Sequence, residues 1–139
     1  MREGGAVSLA VVGVLHRNAD GSDRRREISW CAAGEPVTLQ LEPNNPADER
    51  AVAVYSARGI QLGYLTAERA AYIGGLIRSG RDHQAIFQAP AQFGAWIRMA
   101  FDGAVPIVPE QHRALAPDRD IGLDQDWPGD DWHERQEHW

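Results

Sequence analysis

Short β-forming runs separated by turn chemistry limit what this chain can fold into more than any other feature. Val37, Leu39 and Leu41 alternate with Thr38, Gln40 and Glu42, the period of a half-buried strand. The proline- and asparagine-rich stretch 43–49 ends that run. Residues 51–55 and 60–65 are two further β-rich runs joined by Ser56-Ala57-Arg58-Gly59. Gly59 can supply a positive φ there, so the pattern predicts a hairpin. Residues 8–15 are rich in Val and Leu without a helical stripe and read as a buried strand. Residues 83–91, 95–101 and 105–108 read as strands too, with Gly94 and Gly103 at bends. Many short strands of this kind suggest a small barrel whose edges are closed or covered.

Two segments carry the helical period instead. Over residues 24–33, Ile28, Cys31 and Ala32 fall at i, i+3 and i+4, Ser22 or Asp23 can cap the start, and Gly34 follows at the C′ position. Thr66 can cap a second helix in which Ala70, Ile73, Leu76 and Ile77 share a face and Gly80 lies just past the end. The arginines 24, 25 and 26 open the first helix, at the end where the macrodipole disfavours cations, and read as a solvated face. Trp30, Trp96 and Phe101 are assigned to the core.

A length of 139 residues allows one domain and a tail. The charge is divided accordingly. Residues 1–113 hold twelve arginines and twelve acids, whereas residues 114–139 hold two arginines and eight acids and carry the whole net charge of -6. The division predicts a barrel domain over 1–113 and an acidic tail over 114–139. Trp127, Trp132 and Trp139 mark that tail as a segment that docks, on its own domain or on a partner, because each indole can bury roughly 150–250 Å². The tail is expected to imitate nucleic acid and inhibit binding by lying over the domain's groove. No lysine occurs; every basic side chain is a guanidinium, suited to bidentate phosphate contacts, although an all-arginine complement equally reflects genomic base composition.

Cys31 is the single cysteine, so neither an internal disulfide nor a thiolate zinc module can form. The apolar stretch 6–15 is too short to span a bilayer, and Glu3 cancels Arg2 ahead of it. A cytoplasmic, reducing setting with no membrane partner is expected. No nucleophile elbow, P-loop or dinucleotide-binding glycine pattern occurs. His133 and His138 approach the H-E-x-x-H zinc signature but stand five apart, about 140° around a helix, and cannot share one metal. The expectation is a non-enzymatic protein without cofactor.

Several runs, in order, resemble the HIRAN domain. They are Val11-Val12-Gly13-Val14, then Leu41-Glu42-Pro43-Asn44-Asn45-Pro46-Ala47-Asp48 continuing into Ala51-Val52-Ala53-Val54, then Gly63-Tyr64-Leu65 with Ala70 following. The resemblance spans about residues 8–108. It implies a mainly β protein, an OB-like six-stranded β-barrel with two α-helices, of the kind found beside helicase and nuclease modules. It also implies binding of single-stranded DNA or DNA 3′ ends, with a role in DNA repair or processing.

Carried over by position, Asp48 would accept a hydrogen bond from the terminal 3′-hydroxyl, and Asn44 and Asn45 would shape the loop. A carboxylate accepts from a hydroxyl and repels a phosphate, so such a group can select a free end. The same three residues equally suit a turn whose side chains bond their own backbone. Ala47 stands where a DNA-binding relative has tyrosine, leaving Tyr64 and His16 to stack bases and Arg17, Arg50 and Arg69 to meet phosphates. The alternative is a protein-interaction adaptor for a DNA-processing enzyme, such as a helicase or nuclease, favoured by the net-neutral barrel.

Overall fold

The computed structural model describes residues 6–109. Along the chain run β1 (Val7–Val12), α1 (Arg24–Trp30), β2 (Pro36–Leu41), β3 (Val52–Tyr55), β4 (Gln61–Leu65), α2 (Ala67–Arg78), β5 (His83–Ala91) and β6 (Gly94–Phe101). The strands close into an antiparallel barrel in the order β1-β4-β3-β2-β5-β6. Closure leaves no open edge for another chain to pair with.

The interior follows the period-2 pattern. Leu9 and Val11 of β1, Val37 and Leu39 of β2, Val52 and Val54 of β3, and Ala95, Ile97 and Met99 of β6 point inward. Ile28 of α1 and Ala70 and Ile73 of α2 pack into the same cluster. A second, smaller cluster lies on the outer face of β1, where Ala10 and Val12 meet Phe93 and Trp96. β1 is therefore buried on both faces, which is why its sequence shows no alternation.

Two glycines let β1 sit between its neighbours. A methyl group at Gly63 would strike the carbonyl oxygen of Val12, and one at Gly94 would strike that of Val11. Each glycine lies where β4 or β6 comes closest to β1, so only hydrogen fits.

α2 is as expected: Thr66 Oγ1 accepts from Arg69 N (3.4 Å), and Gly80, at φ +89°, turns the chain out. α1 is capped by Asp23, whose Oδ1 accepts from Arg26 N at 3.1 Å, but ends at Trp30, three residues early. The cause is tertiary. Gly34 N donates to Phe87 O (2.8 Å) and Phe87 N to Glu35 O (2.7 Å), and this pairing draws the chain out of the helix and onto β5.

Three further expectations are corrected. Residues 105–108 form no strand: their side chains alternate, with Val108 buried and Val105 and Ile107 exposed, but β6 is already paired on both sides. Trp30 is 63% exposed and outside the core. Trp96 belongs to the outer cluster, half-buried and edge-on to Phe93 at 5.4 Å. Phe101 is buried in the barrel interior as expected. The tail over 114–139, its three tryptophans and the His133–His138 pair lie outside the described residues.

Candidate functional site

The corner between β2 and β3 is built by its own side chains. Asn45 Oδ1 accepts from Ala47 N (2.8 Å) and Asp48 N (3.2 Å), and Asp48 Oδ1 accepts from Arg50 N (2.8 Å). These are Asx turns, in which a short side chain replaces a backbone acceptor. Ala51 N donates to Asp48 O and Glu42 N to Ala51 O, both at 3.0 Å, which closes the corner onto the start of β3. Asn44 and Arg50 are exposed and Asp48 is half-buried. The Asp48 carboxylate spends one oxygen on the turn; among the described residues, nothing bonds its Oδ2.

Tyr64 joins this corner to the rest of the site. Its hydroxyl donates to Glu42 Oε1 (2.7 Å) and accepts from Asn45 Nδ2 (3.3 Å), while Asn45 Nδ2 also donates to Glu42 Oε1 (2.9 Å). Burial first, then the bond to Glu42, raises the phenol's pKa above its ordinary value, so the hydroxyl stays a donor at neutral pH. The Arg24 guanidinium lies over the ring, 5.5 Å from its centroid.

Arg24 corrects the reading of its arginine run as a solvated face: it is 8% exposed. Its Nε donates to Asn18 Oδ1 and its Nη1 to Gly13 O, both at 2.7 Å. Charge-assisted bonds of this kind hold the buried cation in place. Arg25 and Arg26 are exposed, as expected.

The loop from Gly13 to Asp23 carries His16 and Arg17, both exposed. It is pinned by Asn18 N to Ser22 O (3.1 Å), by Asn18 Nδ2 to Gln61 O (3.0 Å) and by Arg17 Nη1 to Gly21 O (3.2 Å). Two hollows flank Arg17. One, about 130 Å³, is lined by Leu15, His16, Asp23 and Arg25 besides Arg17. The other, about 350 Å³, is lined by Arg17, Asp23, Arg26, Trp30 and Ile60 among others.

Through Tyr64 and Arg24 the structure therefore links the corner of Asn45 and Asp48 to the loop of His16 and Arg17. Arg50 and Arg69 are exposed near the corner and in the first turn of α2, and neither side chain joins that network. The sequence reasoning missed Arg24 and Glu42, and it misplaced Trp96. The strand register puts Val12 opposite Tyr64 and Ala10 opposite Trp96. Paired side chains share a face, so both rings stand on the barrel's outer surface on either side of β1. Strict alternation in β6, with Ala95, Ile97 and Met99 inward, is the signal that would have placed Trp96 outside. Among the described residues, no group of three His, Cys, Asp or Glu side chains could hold a metal ion, and no helix is long and apolar enough to cross a membrane.

The HIRAN domain family model matches residues 5–99. The chain is similar to the crystal structure of the HIRAN domain of human HLTF, with 22% identity, TM-score 0.54, and 81% of this chain and 84% of that chain covered. It is similar also to the NMR structure of the HLTF HIRAN domain in its DNA-bound conformation, with 25% identity, TM-score 0.50, and 84% and 85% covered. No curated protein matches. Six strands closed into one barrel, the asparagine-proline-aspartate corner beside Tyr64, and a family match over more than half the chain lead to one conclusion: this protein belongs to the HIRAN domain family.

Proposed function

We propose that this protein is a non-enzymatic DNA-binding module that takes single-stranded DNA at a 3′ end, in the context of DNA repair or processing. The observation that carries the reading is the Asp48 carboxylate, which is fixed by its own turn through one oxygen and keeps the other unbonded among the described residues, in a corner that Asn45 ties to the Tyr64 hydroxyl. The similar HLTF domain in its DNA-bound conformation supports DNA as the ligand class.

In this mechanism Asp48 Oδ2 accepts the terminal 3′-hydroxyl. A phosphate in that position meets a carboxylate instead and is repelled, so a continuing strand is rejected. Tyr64, held by Glu42 and Arg24, contributes an aromatic surface on the outer face, and His16 a second ring at the loop. Asn44 and Asn45 shape the corner. Arg17, Arg50 and Arg69 meet phosphates, which makes binding salt-dependent.

Fluorescence anisotropy with oligonucleotides ending in 3′-hydroxyl or 3′-phosphate, at two salt concentrations, tests this. The hydroxyl end should bind about tenfold tighter, the effect of one charge-assisted hydrogen bond. Asp48→Asn retains an acceptor for Arg50 N and replaces Oδ2 with an amide, so the turn should persist and the preference vanish. Equal affinity of the wild type for both ends would refute end recognition, and absence of any salt dependence would refute strand binding.

A further inference from the structure

We infer that the exposed face of α1 is a second strand-binding surface, on which Trp30 stacks an unpaired base and Arg17, Arg25 and Arg26 hold the phosphates of a single-stranded nucleic acid leaving the Tyr64–Asp48 corner. This rests on the proposed function and extends it from the end of the strand to its body.

Four observations carry it. First, Trp30 is 63% exposed, although nothing in the fold requires an indole at that position. An indole exposed at the wall of a hollow has a free ring face on which a base can stack. Second, Arg26 and Trp30 are four residues apart and project from one side of the helix, lining the same 350 Å³ hollow as Arg17. A ring beside guanidinium groups is the combination that binds single strands without sequence preference.

Third, the cations here are largely uncommitted, whereas the acids are occupied. Glu27 Oε2 accepts from Arg58 Nε and Ser56 Oγ, both at 2.7 Å, and Asp23 Oδ1 caps the helix at Arg26 N. Arg25 and Arg26 form no ion pair among the described residues. Both stand in the first turn of a helix, where a positive charge is disfavoured, so folding alone gives no reason for them. Fourth, the hollow of Leu15, His16 and Arg25 shares Arg17 and Asp23 with the larger one, so the two lie side by side between His16 and Trp30. Arg24, the first residue of α1, bonds the loop at Gly13 O and lies over Tyr64, so the helix and the corner are joined through one side chain.

A polyanion suits three guanidinium groups against Asp23 and Glu27, the two carboxylates that line the hollows and are already hydrogen-bonded within the fold. It must be single-stranded, because a base in a duplex has no face to offer Trp30.

The test is anisotropy on the full chain with 3′-hydroxyl oligonucleotides of four and twelve nucleotides. Wild type should bind the longer strand more tightly. Trp30→Ala should lower affinity for the twelve-mer about tenfold and leave the four-mer within twofold. Arg25→Ala with Arg26→Ala should reduce the slope of log affinity against log salt by about 1.4 for the twelve-mer only. Both variants alter exposed side chains and should fold normally.

If both bind the twelve-mer as wild type does while the 3′-hydroxyl preference persists, this inference is overturned and the end-binding reading stands. If wild type binds neither length, both fall. A dimer in sedimentation velocity that Trp30→Ala disperses, with strand affinity unchanged, would assign the face to a second copy and overturn it. So would effects of the variants that disappear once residues 114–139 are deleted, since the acidic tail would then be the occupant.

Discussion

The corner at residues 42–51 and the loop and helix at residues 15–30 are joined through Tyr64, yet they dispose of their polar groups in opposite ways. At the corner, both polar ends of Asn45, the Tyr64 hydroxyl and one Asp48 oxygen are committed to holding a shape. Along α1, Arg24 and Glu27 are committed, but Arg17 makes a single bond to its own loop, and Arg25, Arg26 and Trp30 face water. A preformed corner presents one remaining acceptor at a fixed place, which suits discrimination. Uncommitted cations suit affinity, because they follow a flexible backbone and need no single geometry.

Several measurements would break or sharpen this contrast. The largest effect belongs to Gly63→Ala, which should cost about 3 kcal/mol in urea unfolding, because the new methyl group meets the Val12 carbonyl and pushes β4, with Tyr64, off β1. An unchanged midpoint would mean that the two strands are not packed as described. Arg24→Ala should cost about 2 kcal/mol, since it leaves Gly13 O and Asn18 Oδ1 without their charged donor and uncovers Tyr64. Both regions should loosen together, visible as faster amide exchange at the corner and in the 15–23 loop.

Asn45→Ala separates them. It removes the acceptor for Ala47 N and Asp48 N and should cost about 1–2 kcal/mol, with exchange rising only at the corner. Arg25→Ala and Arg26→Ala, by contrast, should leave stability unchanged or raise it by about 0.3–1 kcal/mol each, since each removes a cation from the positive end of a helix dipole. A loss on either substitution would show that α1 uses these side chains structurally.

The smallest expected effect concerns Cys31, at the C-terminal end of α1, where burial and then Glu27 push the thiol up to about 11. The thiolate is the reactive form, so alkylation should keep accelerating up to about pH 11. A plateau near pH 9, the value of a free thiol, would show that this end of the helix has left the barrel.

Where a feature depends on residues close in sequence, it was legible beforehand. The Asx geometry of Asn45 and Asp48 spans three residues, the Thr66 cap spans three, and the β5 strand has the expected bounds, His83 to Ala91, with a bulge between Phe87 and Ala89. The structure bears out the turn reading of Asn45 and Asp48, whose side chains bond their own backbone; the second Asp48 oxygen is the one the proposed function uses. What escaped was set by distant neighbours. Arg24 looks like its exposed companions until Gly13, Asn18 and Tyr64 surround it, and the first helix looks as if it runs to residue 33 until the pairing of Gly34 and Glu35 with Phe87 draws the chain onto β5. Residues 105–108 have the alternation of a strand, but a strand exists only where a neighbour has bonds to give, and barrel closure had used them.

The sequence by itself determined the six strands of the barrel in outline, the two helix starts, the asparagine-proline-aspartate corner and, through them, the family. Periodicity and turn preference act over a few residues, and their energies are already decided there. Only the tertiary structure decided which arginine is buried, where the first helix stops, and that residues as far apart as 13, 24, 42 and 64 form one network. The reason is that β1 must lie between β4 and β6 for the barrel to close, and that placement sets desolvation and bonding among groups that have no local preference for one another.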